Sequence, residues 1–240
     1  MKLGMGSSLS RAINSDAAVA INSAEFSIND LEPEVWLAFN TGQVNIADGI
    51  RWNDQSNNEN SASQTTNAQE GAFSSGVYRV DAGSNDNLDF ASQIDLTGAY
   101  HVFMALNLSE QTNETFLSST NSSTSFMRLG QGSSETMRLR QNGSSNQADI
   151  TMSVAFGTDL ALIEVARDSS NDVKVIKNGT SVGTASSQAG TFEANQIGAS
   201  SNGLTSAEIN EVVIFSKSLT TAEALSVRQD IATRNSITLD

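Results

Sequence analysis

Cysteine is absent from the 240 residues, and histidine and proline occur once each, as His101 and Pro33. Without thiols there is no disulfide framework, thiolate metal site or cysteine nucleophile, and a lone histidine cannot furnish a zinc set. Basic residues are also scarce: 13 Lys and Arg against 27 Asp and Glu give a net charge of −14 and a pI near 4.3. That balance repels nucleic-acid phosphates and anionic membrane surfaces, so neither nucleic acid nor membrane is expected as a partner. No apolar run is long enough for a membrane-spanning helix. The first residues lack the apolar core of a signal peptide, the best stretch being the short run from Ala17 to Ile21. Assembly in a cytoplasm, without export by the general secretory route, is the expectation.

What remains is polar but weakly charged, with 17% charged and 38% hydrophobic residues. Short Val/Ile/Leu/Phe runs set among Ser, Asn, Thr and Gly read as many short strands separated by polar turns. Residues 1–29 read as an arm, because their apolar side chains are too scattered to form a core face. Leu3, Leu9, Arg11 and Ile13 are its expected attachment residues, ordered against a partner; a flexible leader without a role is the competing reading. Residues 30–240 form the domain.

Pro33 precedes the apolar run Val35 to Phe39, the first buried strand. Tyr100 to Leu108 is apolar at both periods and reads as a central strand covered on both sides. Met137 and Leu139 alternate with Arg138 and Arg140, the period-two pattern of a half-exposed strand. Asn178-Gly179 supplies the two positive-φ positions of a type I′ hairpin. After a last strand, Glu208 to Ser216, the sequence Thr220-Thr221-Ala222-Glu223 has capping-box spacing and opens a helix over about 221–233, with Leu225, Val227 and Ile231 available for packing. The expected fold is all-β: a two-sheet sandwich with an extended N-terminal arm and one C-terminal helix.

Three segments carry a family resemblance. Val35-Trp36-Leu37, followed by the stretch from Ile50 to Gln64 (IRWNDQSNNENSASQ), resembles the opening of concanavalin A-like, laminin-G-like jelly-roll domains. Val173 to Gly183 (VKVIKNGTSVG) is similar to their Asn-Gly hairpin. Ile197-Gly198 with Ile209 to Thr220 (INEVVIFSKSLT) and Glu223 resembles their closing strand and helix. The resemblance covers about residues 31–235 and implies a jelly-roll sandwich. Asn57 stands where the family has glycine and Asn40 where it has aspartate; both changes weaken an inherited calcium site. The leader MKLGMGSSLS is similar to those of virion proteins of tailed, especially marine, bacteriophages. The resemblance therefore implies a non-enzymatic virion structural protein, a capsid decoration or fibre component. It would bind phage capsid or tail proteins and form a homo-oligomer. A carbohydrate-binding module for host surface glycans is the alternative.

Glycosidases of this fold need two carboxylates across the scissile bond, in an E-x-D-x-x-E strand pattern that is absent here. Glu208 and Glu211, three apart, are expected on opposite sheet faces, with Glu211 structural. His101 adjoins an apolar run and reads as a packed or surface residue; no G-x-S-x-G elbow or phosphate loop accompanies it. No cofactor is required, although two oxygen-rich loops suit calcium: Asp48, Asn53, Asp54 and Asn57 in one, Asp81, Asn85, Asp86 and Asp89 in the other. Turn chemistry explains the same residues. Trp36 reads as core. Trp52 is the candidate glycan platform, set against a structural position in the family. Arg128, Arg138 and Arg140 gather on one sheet surface, where they meet either solvent or the acidic surface of a neighbouring copy.

Overall fold

The computed structural model describes residues 26–66, 69–80, 86–108, 113–120, 124–141, 146–198 and 207–240. In chain order its strands begin with β1 (Val35–Leu37), β2 (Gln43–Ile46), β3 (Gly49–Trp52), β4 (Ala62–Gln64), β5 (Ala72–Ser74), β6 (Val77–Val80), β7 (Asn87–Leu96), β8 (Tyr100–Leu108) and β9 (Glu114–Ser118). They continue with β10 (Phe126–Leu129), β11 (Thr136–Gln141), β12 (Asn146–Thr151), β13 (Ala161–Arg167), β14 (Val173–Lys177), β15 (Thr180–Ala185), β16 (Phe192–Gly198) and β17 (Ala207–Phe215), followed by helix α1 (Thr221–Asn235). One antiparallel sheet runs β15-β14-β13-β8-β17-β6-β5, with β1 paired to β17; the other runs β12-β11-β10-β9-β16-β7-β4-β3-β2. The fold is a two-sheet, all-β sandwich with one C-terminal helix. Among the described residues no helix is long and apolar enough to cross a membrane.

The double apolar character of β8 has a direct structural cause. Val102, Met104 and Leu106 point into the core between the sheets, whereas Phe103 and Ala105 point outward. There they meet Val213 and Phe215 of β17 and Ala224, Val227 and Ile231 of α1. Each large apolar side chain fully buried in this way contributes roughly 1.5–3 kcal/mol. The helix is therefore held by a second, outer core. Its capping box is formed: Thr220 N–H donates to Glu223 Oε2 at 2.7 Å, and Glu223 N–H donates to Thr220 Oγ1 at 3.3 Å. Leu225, expected to pack, is 38% exposed instead, because the stripe facing the sheet runs through Ala224, Val227 and Ile231.

The β14–β15 hairpin turns through Asn178 (φ 47°) and Gly179 (φ 92°), the left-handed pair that the dipeptide predicts. By contrast, edge strands β2 and β12 bury few side chains and leave little hydrophobic periodicity to read. The attachment residues Leu3, Leu9, Arg11 and Ile13 lie outside the described residues. Within the segment read as arm, Ile28 is fully buried and Phe26 packs beside it in the outer core, so sandwich packing includes the end of that segment.

Candidate functional site

The acids of the last strand come first, because glycoside hydrolysis needs paired carboxylates. Glu208 and Glu211 lie on the same outer face rather than on opposite ones. A β-bulge between Ile209 and Glu211 inserts one residue, Asn210, so that Ile209 and Val212 both point inward and strand parity is inverted. The two carboxylates nevertheless have separate surroundings. Glu208 forms a surface ion pair with Arg79 at 2.8 Å. Glu211 is fully buried beneath α1, where it accepts from Trp36 Nε1 at 2.9 Å, Arg234 Nη2 at 2.6 Å and Asn235 Nδ2 at 2.8 Å. Trp36 accordingly sits half-buried on the outer face and not between the sheets.

His101 belongs to a second buried ion cluster on the same face. Its Nδ1 lies 3.1 Å from Glu164 Oε1, and Arg228 of α1 donates its Nε–H to Glu164 Oε2 at 2.5 Å. Burial raises the Glu164 pKa, but hydrogen bonds from His101 and Arg228, with the charge of Arg228, outweigh it and hold the carboxyl below its ordinary value. The cluster floors a cleft of about 640 Å³ that Lys174, Thr184 and Thr221 also line. This cleft offers charged and hydroxyl groups to a polar ligand. Both oxygens of Glu164 are engaged, so it is a poor proton shuttle. At one end of the cleft Arg167, fully buried, stacks 4.7 Å from the Tyr100 ring and donates to the carbonyls of Leu96, Gly98, Gln188 and Gly190 and to Gln141 Oε1. Nothing in the local sequence marks this arginine as buried.

Of the calcium candidates, Asp54 is already saturated by turn chemistry. It accepts from Trp36 N–H, Ser56 N–H, Ser56 Oγ and Asn60 N–H at 2.6–2.9 Å, leaving little capacity for a cation. Asp48 is exposed in the β2–β3 turn and rims a recess shared with Glu70. Asp81 lies outside the described residues. Asp86 is buried, and burial of the Tyr78 phenol together with the charges of Asp86, Asp89 and Glu70 raises its pKa above the ordinary value. Among the described residues no group of three or more His, Asp or Glu converges as a metal site. Asp48, Asp54 and Asp86 thus belong to no such group among the described residues.

Trp52 is fully buried. Its indole N–H donates to the carbonyls of Ala38 and Thr41, and its ring packs edge-on against Phe73 at 6.0 Å. A ring with no exposed face cannot stack on a sugar, so the glycan-platform expectation is corrected to a core role.

The three arginines do come together. Phe126 lies opposite Arg140 and Arg128 opposite Arg138 across β10 and β11, on the face pointing away from the core. The guanidiniums of Arg128 and Arg140 stand 4.3 and 4.8 Å from the Phe126 ring centroid. Arg138 grips Asp149 of β12 through two bonds, at 2.5 and 2.6 Å. Arg128 donates to neutral acceptors, Thr115 Oγ1 and Gln131 Oε1. Partial burial and the neighbouring charges of Arg138 and Arg140 lower its pKa.

No protein-family profile matches the chain, and no curated protein matches it in sequence. Solved structures do match in fold. The binding domain of botulinum neurotoxin serotype D aligns with a TM-score of 0.58 at 12% identity, covering 82% of this chain and 50% of that one. The binding domain of Paraclostridial Mosquitocidal Protein 1 gives 0.55 at 11%, covering 85% and 52%. Botulinum neurotoxin type C, whose cell entry depends on interaction with two ganglioside molecules, gives 0.52 at 13%, covering 83% and 52%. The chain thus spans about half the length of these structures, and at such identities the likeness is one of fold.

Proposed function

We propose that the chain is a non-catalytic binding module displayed on the particle of a tailed bacteriophage, as a capsid decoration or fibre component, after assembly in the host cytoplasm. The observation that carries the non-catalytic reading is the fate of the last-strand acids. Glu211 is locked beneath α1 by three side chains, and Glu208 is paired to Arg79, so the two do not face each other across an open cleft. The fold neighbours, which are binding domains, support the same reading. The virion assignment rests on the resemblance of the leader and of the sandwich motifs to phage structural proteins. The part of residues 1–29 that precedes Phe26 would attach the sandwich to the shell or tail.

Quantitative mass spectrometry of purified particles from the source virus tests the assignment. Hundreds of copies per particle are expected for a decoration protein and a few to a few tens for a fibre component, whereas absence from the particle overturns the virion reading. Hydrolysis of a β-glucan that is lost on replacing Glu208 or Glu211 overturns the non-catalytic one.

A second reading, adhesion to host surface glycans, is favoured by the ganglioside dependence of the type C neurotoxin. That property belongs to a protein of which this chain covers 52% at 13% identity, so the reading needs its own test. Saturable retention on a glycan array supports it, and loss of retention with chelator adds a calcium requirement.

A further inference from the structure

The chain carries two surfaces of opposite charge, one on the outer face of the second sheet and one in a recess lined from the ends of β1 and β17 as well as from β7. The first is the arginine cluster of β10 and β11. Stacking on Phe126 and hydrogen bonds to Thr115, Gln131 and Gln147 hold its guanidiniums in place. Little side-chain entropy is then lost when they bind, and their planar forks match carboxylate oxygens. The second surface is a recess of about 330 Å³ whose lining includes Glu34, Glu59 and Asp95 and no Lys, Arg or His. Asp95 follows Ile94 on β7, and Glu193 of β16 lies directly opposite it. Among the described residues, none of these four carboxylates forms an ion pair.

Strand order separates the two surfaces. From β10 to β7 the sheet passes through β9 and β16, three strand spacings or about 14 Å, beyond the reach of a guanidinium in the same chain. We propose that the arginine cluster of one copy docks into the acidic recess of a second copy. The two surfaces pair either reciprocally, closing a two-fold dimer with two such contacts, or head-to-tail, where repetition closes a ring or extends a filament, and the sedimenting mass tells the two apart. A second copy suits the cluster better than a free polyanion because it also fills the acidic recess, which a polyanion on the arginines would leave unused. The docking holds wherever the chain is displayed.

Sedimentation velocity and light scattering of the full chain test it, at concentrations up to about 100 µM, where a small polar interface is populated. Species heavier than the 25.3 kDa monomer are expected at low salt. They should dissociate near 1 M salt, where the screening length is about 3 Å. R128Q/R140Q should raise the association midpoint at least about tenfold. So should E59Q/D95N, which changes only exposed side chains and therefore spares the fold. Mixing the two variants should restore a dimer and nothing heavier, since each keeps one working surface. A monomer at low salt overturns the proposal, as does an oligomer indifferent to salt and to both variants. Retention of a monomeric chain on an acidic polysaccharide through Arg128 and Arg140 overturns it too, by assigning the cluster to a glycan.

Discussion

Trp36 on β1 donates its indole N–H to Glu211 on β17 at 2.9 Å, bridging residues 175 positions apart beneath the C-terminal helix. The same carboxylate holds Arg234 and Asn235 of α1, so one buried acid ties the first strand, the last strand and the helix together. An ion pair of this kind costs desolvation when it forms, yet removing one member leaves the other charge stranded.

E211A is accordingly expected to destabilise the sandwich by about 3 kcal/mol, the low end for a broken buried pair, since it strips the Trp36 and Asn235 donors of their acceptor but leaves Arg234 paired with Asp230. E211Q, which keeps the shape and one acceptor oxygen, should cost less. Urea unfolding with an unchanged m-value is the measurement, and equal losses for the two variants would contradict the ion-pair account.

Glu164 predicts an acid limb of stability. Its folded pKa lies below the ordinary carboxyl value of 4.5, so on acidification the unfolded chain takes up the proton first. The stabilisation is complete above about pH 4.5 and is lost as pH falls through the folded value. E164Q should be less stable at pH 7 and should lose less further stability between pH 5 and 3. Urea midpoints across that range decide the matter.

Arg167 is expected to be more demanding than its lack of any buried carboxylate partner suggests. R167M takes the guanidinium donors from the carbonyls of Leu96, Gly98 and Gly190, while Gln188 keeps Gln141 Nε2, and should cost at least about 3 kcal/mol. R167K should not restore stability, because a single ammonium cannot reproduce the planar fork. Thermal unfolding of the two variants checks this.

Gly183 on β15 approaches β12 of the other sheet. A Cβ there would lie 2.8 Å from Ile150 Cγ2 and 3.1 Å from the Thr151 carbonyl oxygen. G183A should therefore destabilise by about 1–3 kcal/mol through overpacking. The double variant G183A/I150L, which removes the β-branch methyl Cγ2 that the new Cβ would meet, should recover part of the loss in the same unfolding assay.

Much of the fold can be read locally. Asn178-Gly179 predicts its hairpin, because few dipeptides accept two left-handed residues. Thr220 to Glu223 predicts the helix start, because its side chains cap the free backbone groups. The continuous apolar run of β8 predicts cover on both sides, and the alternation around Arg138 and Arg140 predicts an outward arginine face. Trp52 is different. It begins a polar loop in the sequence, yet its ring turns inward to meet Phe73, a partner whose proximity no local pattern reveals.

The sequence by itself determined the class of structure: short strands, polar turns, a capped terminal helix and no thiol chemistry. These follow from backbone preferences and periodicities that act within a few residues. Tertiary packing alone made Asn210 bulge and set Glu208 and Glu211 on one face, buried Arg167 among carbonyls, and gathered the arginine cluster and the acidic recess from separate segments of the chain. Each of these depends on partners tens to more than a hundred residues away, and burial and charge are properties of what the folded chain brings together.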